Sequence, residues 1–272
     1  MGEGRGPGFG MARLDAILRP KLIMVKMKRY LRFVDAVGKI TVGNSAPLPS
    51  LRSTIDAKSI LVLAPHPDDE VLGCGGTVKK CTVAGARVTT VYFTDGSEGN
   101  DSVGAQELVN MRKGEAEAGL KVLGCGDCRF LDFPDGSLRA TDVSIKAVRD
   151  VLDSHRPDAV FVPFFMDNHP DHIQTAVILA DALKGYDGEV TCYCYEVWTP
   201  LYPNLLVDIT ETIDVKMAAM DAHASQTVHQ NIKESVDGLN TYRAIGLGKK
   251  VKACEAFYRC SKKEYIRTVL GR

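Results

Sequence analysis

The chain has 272 residues, 45% of them hydrophobic, and its 34 basic side chains are matched by 34 acidic ones. A balanced charge supplies no field for a nucleic-acid backbone or an anionic membrane, so it argues against both as partners and favours a neutral substrate. The apolar content fills a core of normal size, in one large α/β domain or two small ones, and eight cysteines spread along such a length make no secreted-type disulfide framework. They read as reduced, mostly buried thiols of a cytoplasmic protein.

Residues 1–58 differ in texture from the rest. The first ten are too rich in glycine to pack. Residues 11–42 then carry Arg13, Lys21, Lys26, Lys28, Arg29, Arg32 and Lys39 among Leu, Ile, Met and Val, the pattern of an amphipathic basic helix broken near Pro20. It predicts either a helix packed on the domain or peripheral membrane contact, the first being favoured. No apolar stretch approaches the ~20 residues of a membrane span, and no signal-peptide core is visible. Residues 44–53, with two Pro and three Ser, read as a linker into a second region, 59–272.

From Ser59 onward strands and helices alternate, which predicts an α/β fold with a Rossmann-like, doubly wound, mostly parallel sheet and helices on both faces. The run 60–64 is a buried strand, followed by a helix over 70–84 and a strand over 87–93. A polar, glycine-rich loop at 94–100 leads to a helix over 102–123, closed by Gly124. A short strand at 130–133 enters the turn Pro134-Asp135-Gly136. A helix over 142–154, a strand over 159–165 and a helix over 170–183 follow, the last with Pro170 at its first turn, where proline is preferred. Strands at 190–198 and 205–209, a helix over 213–224, and a helical tail from 231 ending in a strand at 256–259 complete the reading. No internal repeat is evident, and homo-oligomerisation stays compatible with the chain.

Chemistry concentrates where two apolar runs stop. After the first stand His66-Pro67-Asp68-Asp69-Glu70, and after the run 159–165 stand Asp167-Asn168-His169-Pro170-Asp171-His172. Either cluster alone could be the acidic first turn of a helix. Two of them at the carboxyl edge of one sheet, where such folds bind ligands, point to a shared site. His66, Asp69 and His172 supply two imidazoles and a carboxylate, a donor set that suits zinc with one position left for water. Asp68, beside a ligand, is then free to act as general base, and His169 can donate to an oxyanion or protonate a leaving amine. Asp171 is placed to orient an imidazole.

Rival chemistries fit less well. Gly73, Gly75 and Gly76 follow the acids and match neither a dinucleotide fingerprint nor a P-loop. Cys125 and Cys128, even with Cys192 and Cys194, make a weak zinc-knuckle signal beside the reading as buried thiols. His155 and His229 read as surface residues, and Trp198 with Tyr202 as either an aromatic wall for a sugar ring or packing.

The string Pro65-His66-Pro67-Asp68-Asp69-Glu70 with His169-Pro170-Asp171-His172 resembles the LmbE-like, or PIG-L, family of zinc-dependent de-N-acetylases, and the likeness runs through most of residues 59–260. The resemblance implies a Rossmann-like fold and removal of the acetyl group from an N-acetylglucosamine unit on a small-molecule or glycoconjugate substrate. It further implies that His66, Asp69 and His172 hold Zn2+, that Asp68 is the base and that His169 stabilises the tetrahedral intermediate. By the same likeness Glu98 in the 94–99 loop, Arg112 on its helix with Glu115, and Asp135 contact substrate. Arg112 and Glu115 also fit an ordinary surface pair, Asp135 a tight turn, and Glu98 a helix cap. Glu70 is expected to hold the loop, and His223 near Ser225-Gln226 matches a late motif without an assigned role. A metal-dependent esterase or phosphoesterase, or a non-catalytic sugar-binding module, are the alternatives.

Overall fold

The computed structural model describes residues 30–31, 33, 48–100, 102–227 and 231–271. Its centre is an eight-stranded sheet built around the two apolar runs, β2 (Ser59–Ala64) and β5 (Ala159–Pro163), which pair in parallel through Ile60–Ala159, Leu61–Val160 and Val62–Phe161. Every residue of both runs except Ser59 is buried. That continuous burial is what helices on both faces of a parallel sheet demand.

From β2 the chain steps outward through α1 (Asp69–Val83), β3 (Arg87–Thr94), α2 (Ala105–Leu123) and β4 (Asp127–Phe133). After α3 (Asp142–His155) it returns to the other side of β2 with β5, then passes through α4 (Pro170–Lys184) to β6 (Thr191–Tyr195). The last part of the sheet comprises β1 (Ser50–Arg52), β7 (Leu205–Asp208) and β8 (Cys254–Ser261), giving the order β1-β7-β8-β6-β5-β2-β3-β4. Only β8 runs antiparallel to its neighbours β6 and β7. The strand order reverses between β2 and β5, and that switch point opens a crevice at their carboxyl ends. Helices α5 (Ile213–Asp221), α6 (Ala224–Thr227), α7 (Ile232–Arg243) and α8 (Lys262–Leu270) complete the chain.

Odd-numbered residues of β2 (Leu61, Leu63) join one core with α3, α4 and α8, and even-numbered ones (Ile60, Val62, Ala64) join a second with α1 and α2. The period-two alternation of a strand thus sorts one apolar run between two layers. Phe33 belongs to the first core, with ring centroids 5.4 Å from Tyr258 and 5.6 Å from Phe164.

Helix α1 breaks at Cys74, whose φ of −146° and ψ of 15° leave the helical region. The backbone N–H groups of Gly76 and Thr77, freed by the break, donate to the two oxygens of Glu255 at 2.9 and 2.7 Å, and Lys216 Nζ pairs with the same carboxylate at 2.7 Å. All the side chains of this arrangement are buried. Gly73 lets α1 lie against β6, because a Cβ there would stand 2.1 Å from Tyr195 Cδ2, and Tyr195 is held by its hydroxyl's bond to the Leu63 carbonyl at 2.9 Å.

Several boundaries differ from the sequence reading. The stretch read as a linker contributes β1, which pairs with β7 from Ser50 to Arg52, so the sheet begins before residue 59. Three residues on an exposed edge carry no apolar signature. The strand read at 159–165 ends at Pro163, β4 begins three residues earlier than its aromatic part suggested, and α8 was not foreseen. His155 is buried, with its Nδ1 3.2 Å from Thr89 Oγ1 and its Nε2 3.2 Å from the Ile60 carbonyl, which corrects its surface assignment. His229 and nearly all of residues 11–42 lie outside the described residues. No described helix is long and apolar enough to cross a membrane. All eight cysteines are free, and Cys125 and Cys128 lie on the β4 side of the sheet, with β5, β2 and β3 between β4 and the Cys192–Cys194 strand. A knuckle of those four is excluded.

Candidate metal centre

The loop after β2 and the loop after β5 meet at the switch point. His66 leaves β2 through Pro65 and Pro67, Asp69 opens α1, and His172 lies in the first turn of α4. His66 Nδ1, Asp69 Oδ2 and His172 Nε2 form a triangle with edges of 3.0, 3.2 and 3.4 Å. Donors held about 2.05 Å from one tetrahedral zinc stand about 3.3 Å apart, so the triangle fits such an ion. Two nitrogens of neighbouring imidazoles facing each other at 3.4 Å cannot both carry a proton comfortably, whereas a shared cation satisfies both. Two further groups among the described residues, His66–His169–His172 and His66–Asp135–Asp171, bring their ligand atoms within 4.8 Å of one another.

The surrounding charges suit a cation. Burial alone would strip His172 of its proton, but Asp69 and Asp167 outweigh burial and push its pKa up to about 9. His66 is likewise raised despite burial, by Asp135, Asp171 and Asp69. Burial works against the charge of Asp69, yet His172 and His66 hold its pKa well below the usual carboxylate range. The carboxylates that favour a positive charge on these imidazoles would equally favour a bound cation.

Carboxylates orient both rings from behind. Asp135 Oδ1 stands 3.1 Å and Asp171 Oδ2 3.4 Å from His66 Nε2. Asp171 also accepts the N–H groups of Gly136 and Leu138 at 2.8 and 3.1 Å, which fixes the Pro-Asp-Gly turn against α4. Asp171, read as orienting an imidazole, thus has a carboxylate oxygen near the His66 ring. Asp135, expected at a substrate, is turned toward His66, and its other oxygen accepts the Glu98 N–H at 3.1 Å. Glu98 itself is exposed at the rim. Burial raises the Asp135 carboxyl, but His66 prevails and holds its pKa at about 2.

Asp167 escaped the sequence reading as a separate contributor. It is fully buried, lies 3.6 Å from His172 Nδ1, and accepts the backbone N–H groups of His169 at 2.9 Å and Trp198 at 3.1 Å. Its sequence signal was its place at the head of the second polar cluster, directly after the apolar run.

Asp68 sits beside the triangle with its carboxylate 3.3 Å from Arg112 Nη2. Arg112 is buried, not a surface partner of Glu115, and its Nη1 donates to the Gly96 carbonyl at 3.0 Å. Glu115 accepts instead from the N–H and hydroxyl of Ser225 at 2.8 and 2.6 Å. The late motif thus closes the back of the site: His223 is buried against Gly119, and the Asn100 amide donates to the Ser225 carbonyl at 3.2 Å. His169 caps α4, its Nδ1 accepting the Asp171 N–H at 3.3 Å, so the ring proton resides on Nε2. Its centroid is 4.6 Å from that of His66 and 5.0 Å from that of His172. Glu70 points away beneath α1, where burial raises its pKa to about 8 and the Tyr92 hydroxyl donates to it at 2.6 Å.

Three donors close enough to share a cation, beside the carboxylate of Asp68 at the switch point of a Rossmann-like sheet, match a metal-dependent hydrolase. The comparisons sharpen that class. The family model PIG-L, GlcNAc-PI de-N-acetylase, matches residues 61–183. The diacetylchitobiose deacetylase of Thermococcus kodakarensis is 31% identical over 190 residues, which cover 63% of this chain and 71% of that one. A probable N-acetyl-alpha-D-glucosaminyl L-malate deacetylase 2 of Bacillus cereus is 28% identical over 186 residues, 62% of this chain and 84% of the other. Among solved structures, N,N'-diacetylchitobiose deacetylase from Pyrococcus horikoshii, in complex with its inhibitor MPG, superposes with a TM-score of 0.70 at 26% identity over 86% of this chain and 94% of that chain. The chain belongs to the PIG-L family of de-N-acetylases.

Proposed function

We propose that this protein hydrolyses the acetamide of an N-acetylglucosamine-containing substrate, releasing acetate and a free amine, with zinc as its ion. The observation that carries the reading is the 3.0, 3.2 and 3.4 Å triangle of His66, Asp69 and His172 with Asp68 beside it. When bound, zinc would lower the pKa of a coordinated water toward about 7 and polarise the acetyl carbonyl.

The remaining work falls to the chain's own side chains. Asp68, held by Arg112, takes the proton of the attacking water. The water oxygen joins the acetyl carbon, the C–N bond breaks, and the proton passes to the departing amine. His169 presents Nε2–H toward the developing oxyanion, since its Nδ1 is occupied by the Asp171 N–H. Arg112 and Asp135 act on substrate indirectly, through Asp68 and His66, and Glu98 is the rim residue placed to meet a sugar hydroxyl. Eight free thiols support a reducing compartment such as the cytoplasm.

The test is acetate release from a panel of N-acetylglucosaminides by zinc-restored protein, with phosphate and ester release measured alongside. Acetate from at least one N-acetyl sugar is expected. Turnover of phosphate or carboxylic esters alone would replace this reading with another hydrolase.

A further inference from the structure

The turn between His66 and Asp68 leaves one backbone group short of partners. The Asp68 N–H donates to the His66 carbonyl at 2.9 Å, and the N–H groups of Val71 and Leu72 both donate to the Asp68 carbonyl at 3.0 Å. The Pro67 carbonyl between them receives no backbone N–H among the described residues. Arg112 Nη2 reaches it only at 3.5 Å, the outer limit of a hydrogen bond. A buried carbonyl with two lone pairs and one weak partner calls for a second donor.

His223 faces it from the turn between α5 and α6, buried at 2% exposure. Its ring is set into α2, where a Cβ on Gly119 would come within 2.8 Å of Nε2. Glycine inside a helix is less stable than alanine, so α2 gives up helical propensity to admit an imidazole. Neither ring nitrogen completes a well-aligned hydrogen bond among the described residues. Unsatisfied polar atoms in a core are a cost that a leucine would avoid, so filling space does not explain a histidine here.

The groups around the ring are the Pro67 carbonyl, the carboxylates of Asp68 and Glu115, and the Arg112 guanidinium. Burial outweighs the two acids and keeps the ring neutral, which leaves one N–H to donate. The turn that carries the ring is itself anchored: Glu115 on α2 accepts the N–H and hydroxyl of Ser225, and the His223 N–H donates to the Met220 carbonyl at 3.0 Å.

We propose that His223 is a positioning residue for Asp68, donating a ring N–H to the Pro67 carbonyl and so fixing the turn that joins a metal ligand to the base. The inference rests on the de-N-acetylase reading for its effect on turnover, but not for the contact itself.

The test compares wild type with His223→Leu, His223→Gln and Gly119→Ala in acetate release, zinc content and thermal unfolding. Nuclear magnetic resonance of protein labelled at the histidine nitrogens reads the ring directly, its signal assigned by its loss in His223→Gln. His223→Leu keeps the volume and loses the donor, so kcat should fall about tenfold while KM stays within about twofold and zinc and thermal stability stay close to wild type. His223→Gln should restore most of the loss, and Gly119→Ala, which displaces the ring without removing it, should lower kcat in the same way. At pH about 7 the His223 ring should be a single neutral tautomer whose N–H exchanges slowly with solvent. Full kcat in His223→Leu, equal losses in the leucine and glutamine variants, or a ring that is doubly protonated or exchanges its N–H rapidly overturns the proposal. If His223→Leu does not fold, Gly119→Ala and the ring signal decide. If wild type releases no acetate from any N-acetyl sugar, the functional reading fails, and the ring signal decides the contact by itself.

Discussion

Arg112 Nη2 and Asp68 Oδ2 stand 3.3 Å apart in a buried pair that ties Asp68 to the Gly96 loop, because the same guanidinium donates to the Gly96 carbonyl. Planar, two-directional holding of this kind needs a guanidinium; an ammonium is a point charge on a flexible stem. Arg112→Lys should therefore lower kcat by about 10- to 100-fold while KM changes little, because the loss is one of positioning. Steady-state kinetics together with zinc analysis check this. Full activity in the lysine variant would show that Arg112 is not needed in this form.

Asp68, the proposed base, gives a sharper expectation. Asp68→Asn keeps the shape and leaves the triangle intact, so zinc should remain at one per chain while kcat falls by about 10²- to 10⁴-fold. Atomic absorption beside acetate release reads both quantities. An active asparagine variant would remove Asp68 from the mechanism.

The buried pair Lys216–Glu255 stabilises the broken helix that carries Asp69. Removing one partner leaves an unpaired charge in the core, so Lys216→Met or Glu255→Gln alone should cost about 3–5 kcal/mol. The double substitution should cost less than the sum of the two, because the glutamine no longer needs the cation. Urea denaturation of the three variants checks the coupling. Additive losses would mean the two residues act separately.

His155 provides a pH dependence away from the metal. Burial, then the nearby Arg87, lowers its pKa in the folded chain, while unfolded histidine titrates near about 6.5. Below that value the unfolded state binds the proton more readily than the folded one, so stability is retained above pH about 6.5 and declines as pH falls toward the folded pKa. His155→Gln should flatten that decline in urea midpoints measured between pH about 7.5 and 5. An unchanged slope would assign acid sensitivity to other groups.

Much of this architecture is written in local pattern. The runs 60–64 and 159–163 announce buried parallel strands because both faces are covered, and the polar clusters at their ends announce the crevice. What escaped depends on partners far away in the chain. Arg112 and Glu115, three apart, suggest a pair, yet each finds a different partner, Asp68 and Ser225. His155 in a last helical turn looks like a solvated cap, until the neighbouring strands supply Thr89 and the Ile60 carbonyl. Asp135 looks like a turn former and Asp167 like a loop acid, and only the folding of two strand ends together turns them toward imidazoles. β1 owes its existence to the edge of β7 and to no hydrophobic run of its own.

The central claim is that His66, Asp69 and His172 share one divalent ion. Anomalous diffraction at the zinc edge from crystals of zinc-loaded protein tests it most directly. The account predicts a single strong peak about 2.1 Å from His66 Nδ1, Asp69 Oδ2 and His172 Nε2, absent in His172→Ala. A peak held by other residues, or undiminished deacetylation in metal-free protein, would contradict it.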